Sequence, residues 1–132
     1  MKSYKINELF YSLQGEGRET GRASLFIRFS GCNRACAFCD TSFNAFEALS
    51  LEEIVARVER LVPATALSSD SWQFVLTGGE PTLQVDYAFL DAIKSRFGAK
   101  RAIQVETRLG WRRKRLYGYP RLNAIVAIVL PR

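Results

Sequence analysis

All three cysteines of this 132-residue chain, Cys32, Cys36 and Cys39, fall within eight residues of the stretch Ser30-Gly-Cys-Asn-Arg-Ala-Cys-Ala-Phe-Cys-Asp-Thr41. Any fold has to present that stretch as one short loop. With no fourth cysteine and no histidine in the chain, the C-x3-C-x2-C spacing cannot close a four-ligand site by itself. Three thiolates on one loop suit an iron–sulfur cluster with one iron left open. Disulfides account for it poorly, because an odd count leaves one thiol over and no secretory signal pattern implies an oxidising compartment. Structural zinc would have to borrow Asp40 or another carboxylate as its fourth ligand. Inert buried cysteines would have to reach this spacing, beside Gly31 and Phe38, by coincidence.

The elements around the loop follow from periodicity. Tyr4 to Tyr11 reads weakly as a strand and breaks at Gln14-Gly-Glu-Gly17. Ala23 to Ser30 alternates Leu25, Ile27 and Phe29 with Phe26, Arg28 and Ser30, a strand that delivers the chain to the cysteines. Ser50-Leu-Glu-Glu53 is a capping box, after which Leu51, Ile54, Val55, Val58 and Leu61 share one helical face until Pro63. Trp72 to Leu76 is a strand ending in Thr77-Gly-Gly-Glu-Pro81. Asp86 to Phe97 is a second helix, with Phe89, Leu90, Ile93 and Phe97 on one side and Gly98 as its stop. Ala102 to Thr107 is a third strand.

This alternation predicts an α/β fold with a parallel sheet and right-handed crossovers, whose ligands gather beyond the carboxyl ends of the strands. The cysteine loop, Gly78-Gly79-Glu80 and Glu106-Thr107 then share one edge. An apolar content of 48% with 24% charge is ordinary for a globular chain of one domain. No apolar run reaches membrane-spanning length, so a cytoplasmic protein without membrane contact is expected.

The formal charge of +6 is not evenly spread: residues 1–107 hold 12 basic and all 13 acidic residues, a net of −1, and residues 108–132 hold seven basic residues and no acid. The division predicts a core over 1–107 and an atypical basic tail over 108–132. Such a tail fits a nucleic-acid arm or sequence foreign to the domain.

Three polar features stand out. Gly15 and Gly17 flank Glu16, where the backbone can approach a ligand or form an exposed turn. Arg28, among large apolar residues on a strand expected to be buried, needs a partner: a structural ion pair or a substrate carboxylate. Gly78 and Gly79 lack β carbons, so backbone groups can approach a small polar ligand, and Glu80 can accept from an amine. Beside the three-cysteine loop, the ligand reading of this turn outweighs a tight turn alone.

Cys32-x3-Cys36-x2-Cys39 with an aromatic residue before the last cysteine, followed by Gly78-Gly79-Glu80 after a strand, resembles the radical S-adenosylmethionine superfamily. Within it, Phe10-Tyr-Ser-Leu-Gln-Gly-Glu-Gly17, Phe26-Ile-Arg-Phe-Ser-Gly-Cys32, Cys39-Asp-Thr41 and Leu76-Thr-Gly-Gly-Glu-Pro-Thr-Leu-Gln84 are similar to the 7-carboxy-7-deazaguanine synthase family over about residues 4–107. The resemblance implies the first half of a partial (β/α) barrel. It also implies a 4Fe-4S cluster, S-adenosylmethionine and Mg2+, used to convert 6-carboxy-5,6,7,8-tetrahydropterin to 7-carboxy-7-deazaguanine with loss of ammonia, a step towards queuosine. Cys32, Cys36 and Cys39 would hold the cluster. Phe38, Asp40, Gly78, Gly79 and Glu80 would line S-adenosylmethionine, and Thr41 would bind Mg2+. Leu13, Gln14, Gly15, Glu16, Arg28 and Thr77 would bind the pterin, Arg28 taking its carboxylate. A reductant such as flavodoxin and, for the full-length family, a homodimer are the implied partners.

The departure comes after Glu106-Thr107, where the family continues with Asn-Gly and this chain with Arg108-Leu-Gly-Trp-Arg-Arg-Lys-Arg115. Residues beyond about 107 are therefore expected to be out of frame or replaced. The third strand is then expected to become an apolar edge, and Ala124 to Leu130 is apolar enough to pair there. Besides the enzyme, the sequence allows an inactive relative that binds a cluster without turnover. A nucleic-acid binder using Arg112 to Arg115 rests on charge alone and is not expected.

Overall fold

The computed structural model describes residues 2–15, 20–31, 46–107 and the backbone of 125–129. Its elements in chain order are β1 (Tyr4–Leu13), β2 (Ala23–Phe29), β3 (Glu47–Leu49), α1 (Leu51–Leu61), β4 (Trp72–Gly78), α2 (Tyr87–Phe97), β5 (Ile103–Thr107) and β6 (Ile125–Val129). One six-stranded sheet runs in the order β3-β1-β2-β4-β5-β6. β2, β4 and β5 are mutually parallel, as the alternation predicts, and β6 is parallel to them as well. The sheet is mixed, however, because β1 runs antiparallel to both β2 and β3. The connection from β1 to β2 is too short for a crossover, so only a hairpin can form.

Both helices begin where the caps put them. Glu53 N–H donates to Ser50 Oγ at 3.2 Å and Ser50 N–H to Glu53 Oε1 at 3.0 Å, closing the capping box of α1. Phe89 N–H donates to Asp86 Oδ1 at 2.9 Å, so Asp86 caps α2, and Gly98 ends that helix at φ +110°. Leu61 departs from expectation: it is 39% exposed, and Val62, at 2%, takes the inward position. The cause is local, since Val62 is already extended and turns the chain off the helical period.

One face of the sheet carries the core. Leu25, Ile27 and Phe29 of β2, Trp72, Phe74 and Leu76 of β4, and Ile103 and Val105 of β5 pack against Ile54 and Val58 of α1 and Phe89, Leu90, Ile93 and Phe97 of α2. Phe29 meets Phe89 with ring centroids 5.5 Å apart, and Phe74 meets Phe97 at 5.4 Å. At the amino ends of the strands, buried Arg101 stacks 4.1 Å over the Trp72 ring. It donates to the carbonyls of Leu67, Ser69, Trp72 and Phe97, tying the α1–β4 connection to the start of β5. β5 is not left as an apolar edge: β6, within the Ala124 to Leu130 stretch read as apolar enough to pair there, lies beside it from Ile103↔Ile125 to Thr107↔Val129.

Candidate functional site

The opposite face of the sheet is polar, for the same period-two reason that makes the first face apolar. Register places Ser24, Phe26 and Arg28 of β2 beside Gln73, Val75 and Thr77 of β4, and Gln104 beside Val75. Arg28 and Thr77, both assigned to the pterin from sequence, are direct register partners. Buried Gln73 donates to Ser24 Oγ at 3.1 Å, and Ser24 donates to the Arg22 carbonyl. Buried Gln14, just past β1, donates to Gln104 Oε1 and, at 3.4 Å, to Glu106 Oε2. A residue at the end of β1 thus reaches β5 across β2 and β4, so the sheet curls around this polar face. Leu13 is 65% exposed and Gly15 is exposed.

Arg28 is less enclosed than its apolar neighbours suggest, its side chain being 43% exposed. Its Nε lies 3.1 Å from Glu8 Oε1, on the register partner in β1, and its guanidinium sits 5.9 Å from the Phe10 ring centroid. Phe10 in turn stacks on Phe26 at 4.7 Å and 7°. The contact with Glu8 is an ion pair and not a hydrogen bond, since Arg28 Nε is buried and has no hydrogen-bond partner among the described residues. Arg28 lines a cavity of about 190 Å3 together with Asn7, Glu8, Phe29, Ser30, Gly78 and Gly79.

The glycine pair does something its sequence did not announce. A β carbon on Gly78, which has φ +116°, would lie 2.2 Å from the Phe29 carbonyl oxygen, and one on Gly79 would lie 2.1 Å from that of Gly31. The space left by the missing side chains is taken by the chain's own backbone. Gly79 N–H donates to Phe29 O at 2.9 Å and Glu80 N–H to Gly31 O at 3.1 Å, and Gln84 Nε2 donates to Ser30 O at 2.7 Å. The backbone immediately before Cys32 is therefore seated on the turn after β4.

Glu80 is buried, and its Oε2 accepts from Thr82 N at 3.1 Å, from the Thr82 hydroxyl, and from Thr107 Oγ1 at 2.7 Å. Of the residues assigned from sequence, Arg28, Thr77, Gly78, Gly79 and Glu80 gather at the carboxyl edge, whereas Gln14 starts from the amino end of β2 and reaches Gln104 and Glu106 across the polar face. Cys32, Cys36, Cys39, Phe38, Asp40, Thr41 and Glu16 lie outside the described residues, as does the Arg112–Arg115 cluster. Gln104, Glu106, Glu8 and Phe10 received no role from sequence. For Gln104 and Glu106 the signal was present, as Ile103-Gln-Val-Glu106 alternates two polar residues onto one face. For Glu8 it was absent, since only the hairpin register brings it to Arg28.

Residues 26–119 match the family model described as the Radical SAM superfamily. The chain is 48% identical over 89 residues to the 7-carboxy-7-deazaguanine synthase of Bacteroides thetaiotaomicron, an alignment covering 67% of this chain and 44% of that protein. It is 41% identical over 108 residues to the protein of the same name from Bradyrhizobium diazoefficiens, covering 71% and 51%. Among solved structures, the crystal structure of QueE from Escherichia coli is similar, with a TM-score of 0.61 at 30% identity, over 80% of this chain and 53% of that one. The chain thus spans about half the length of these relatives.

Proposed function

This chain belongs to the radical SAM superfamily, and from that premise we propose that its polar sheet face forms part of a 7-carboxy-7-deazaguanine synthase site, acting on 6-carboxy-5,6,7,8-tetrahydropterin. The observation that carries the reading is the pairing of Arg28 with Thr77 at the mouth where the segment leading to Cys32 is seated, with Gln14 reaching Gln104 and Glu106 on the same face from the amino end of β2. The name shared by the curated relatives supports it.

The residues present fit the superfamily's cofactors. The three cysteines supply thiolates for a cluster with an open iron, and Glu80 supplies a buried carboxylate beside the same segment for the amino group of S-adenosylmethionine. When bound, a cluster held by Cys32, Cys36 and Cys39 would supply, together with S-adenosylmethionine, the one-electron chemistry of the reaction. What the chain's own residues do is bind and orient. The Arg28 guanidinium takes the substrate carboxylate. Thr77 offers a hydroxyl on the neighbouring strand. Gln14, held by Gln104 and Glu106, closes the far side of the face against water. Phe38 and Asp40 line S-adenosylmethionine in the same reading, and the Thr41 hydroxyl is a hard oxygen ligand suited to Mg2+.

The test is anaerobic reconstitution with iron and sulfide, followed by incubation with dithionite, S-adenosylmethionine, Mg2+ and the pterin. Appearance of 7-carboxy-7-deazaguanine by mass spectrometry, with Arg28→Ala lowering kcat/KM by about a hundredfold or more, is the expected result. A reconstituted cluster with neither 5′-deoxyadenosine nor product would replace this reading by that of a relative that binds a cluster without turnover.

A further inference from the structure

At the carboxyl edge β4 and β5 part company. Their ladder runs Phe74↔Ile103, Val75↔Gln104 and Leu76↔Val105 and stops there, although both strands continue for two more residues. Beyond that point a side-chain bond runs from the hydroxyl of Thr107, the last residue of β5, to Glu80 Oε2 just past β4, at 2.7 Å. Thr107 is 0% exposed, Glu80 2% and Thr82 2%. A hydroxyl in so closed a place is stabilising only when it is bonded, and a buried carboxylate needs donors around it.

We propose that Thr107 is a positioning residue, which with Thr82 fixes the Glu80 carboxylate for the amino group of S-adenosylmethionine. This rests on the reading of Glu80 given above. Three neutral donors converge on one oxygen, Oε2, and stop the carboxylate turning about its last bond. The direction of Oε1 is thereby set as well. Donors of this kind offset the cost of burying a carboxylate. Thr107 also couples the cofactor to the sheet: the Glu80 side chain is held by β5, and its backbone N–H holds Gly31, the residue before Cys32.

The experiment compares Thr107→Val, Thr107→Ser and Glu80→Gln in the anaerobically reconstituted protein. It measures binding of S-adenosylmethionine and of 5′-methylthioadenosine, which lacks the amino-acid end. Thr107→Val keeps the shape and removes the donor, so S-adenosylmethionine should bind about tenfold more weakly, with 5′-methylthioadenosine unchanged. Thr107→Ser should restore the affinity. Equal weakening of both ligands by Thr107→Val, or no rescue by serine, would reduce Thr107 to a packing residue and overturn the proposal. Unchanged S-adenosylmethionine binding in Glu80→Gln would remove the underlying reading of Glu80 and the proposal with it. If Glu80→Gln weakens binding and Thr107→Val does not, the positioning role alone fails. Should Thr107→Val not fold, Thr82→Val, which deletes the other hydroxyl on Oε2, is held to the same pattern of loss for one ligand and not the other.

Discussion

At the scale of single residues, the glycines at the end of β4 separate two roles that look alike in sequence. Gly-Gly beside a cysteine loop reads as room for a ligand, yet the described contacts at Gly78 and Gly79 are with Phe29 and Gly31. Their partners could not be read from sequence because they lie on another strand, brought there by the β2–β4 register. A methyl group at Gly79 would stand 2.1 Å from the Gly31 oxygen and 2.8 Å from its carbon, both backbone atoms that cannot swing aside. Gly79→Ala is therefore expected to cost about 2 kcal/mol or more and to lower the iron retained after reconstitution, since Gly31 precedes Cys32. Among the described residues nothing lies within 4 Å of a would-be β carbon on Gly15, so Gly15→Ala should stay within about 0.5 kcal/mol. Urea unfolding of the two variants, with iron analysis of the first, checks the contrast. Equal stabilities would mean that the seat beneath Gly31 yields.

Elements defined by local chemistry were legible, and those defined by partners were not. The cap at Ser50 was readable because it bonds within its own first turn, whereas Asp86, read as the first residue of its helix, is in fact the cap before it. β3 was not readable, being three residues long with one buried side chain, and existing only because β1 offers it an edge. Asp86 also does more than cap α2: it accepts from the Tyr4 hydroxyl at 2.8 Å and pairs with Lys2, joining the start of β1 to the helix. Burial pushes its pKa up, but the Lys2 hydrogen bond, the Phe89 N–H, the Tyr4 hydroxyl and the Lys2 charge together hold it below the usual value. The folded state then binds this proton more weakly than the unfolded chain does. The resulting stability is complete above the unfolded pKa, near 4, and is lost as pH falls through the depressed folded value. Glu53, lowered chiefly by the Ser50 backbone N–H and then by its hydroxyl, acts in the same window. Asp86→Asn keeps an acceptor at the cap but removes one titration, so its urea midpoint should fall less steeply below pH 4 than that of the parent. Asp86→Ala should cost about 1 kcal/mol at neutral pH as well. Parallel pH profiles for parent and Asp86→Asn would remove Asp86 from the acid transition.

For the whole molecule, the alternation of strand and helix fixed the parallel order of β2, β4 and β5. The antiparallel flank, and the curl that lets Gln14 reach Glu106, depend on long-range pairing that periodicity does not encode. The same holds for the site: Arg28 and Thr77 could be singled out by residue type and motif, but only the register makes them neighbours, and only the curl adds Gln14. The fate of β5 was the open question at this scale, because its buried Ile103 and Val105 would form an apolar edge if nothing paired beside it. β6 covers it over all five residues and, among the described residues, becomes the outer strand itself. Successive residues of a strand point their N–H groups to opposite sides, so of Val126 and Ala127 one donates towards β5 and the other towards the outer edge. Proline removes that donor and is tolerated in a sheet chiefly where the N–H faces outward. Val126→Pro and Ala127→Pro should therefore differ: one should uncover β5 and aggregate at lower temperature and concentration, and the other should scatter no more light than the parent, or less. Indistinguishable scattering of both variants and the parent across a heating ramp would mean that β6 does not protect β5 in solution.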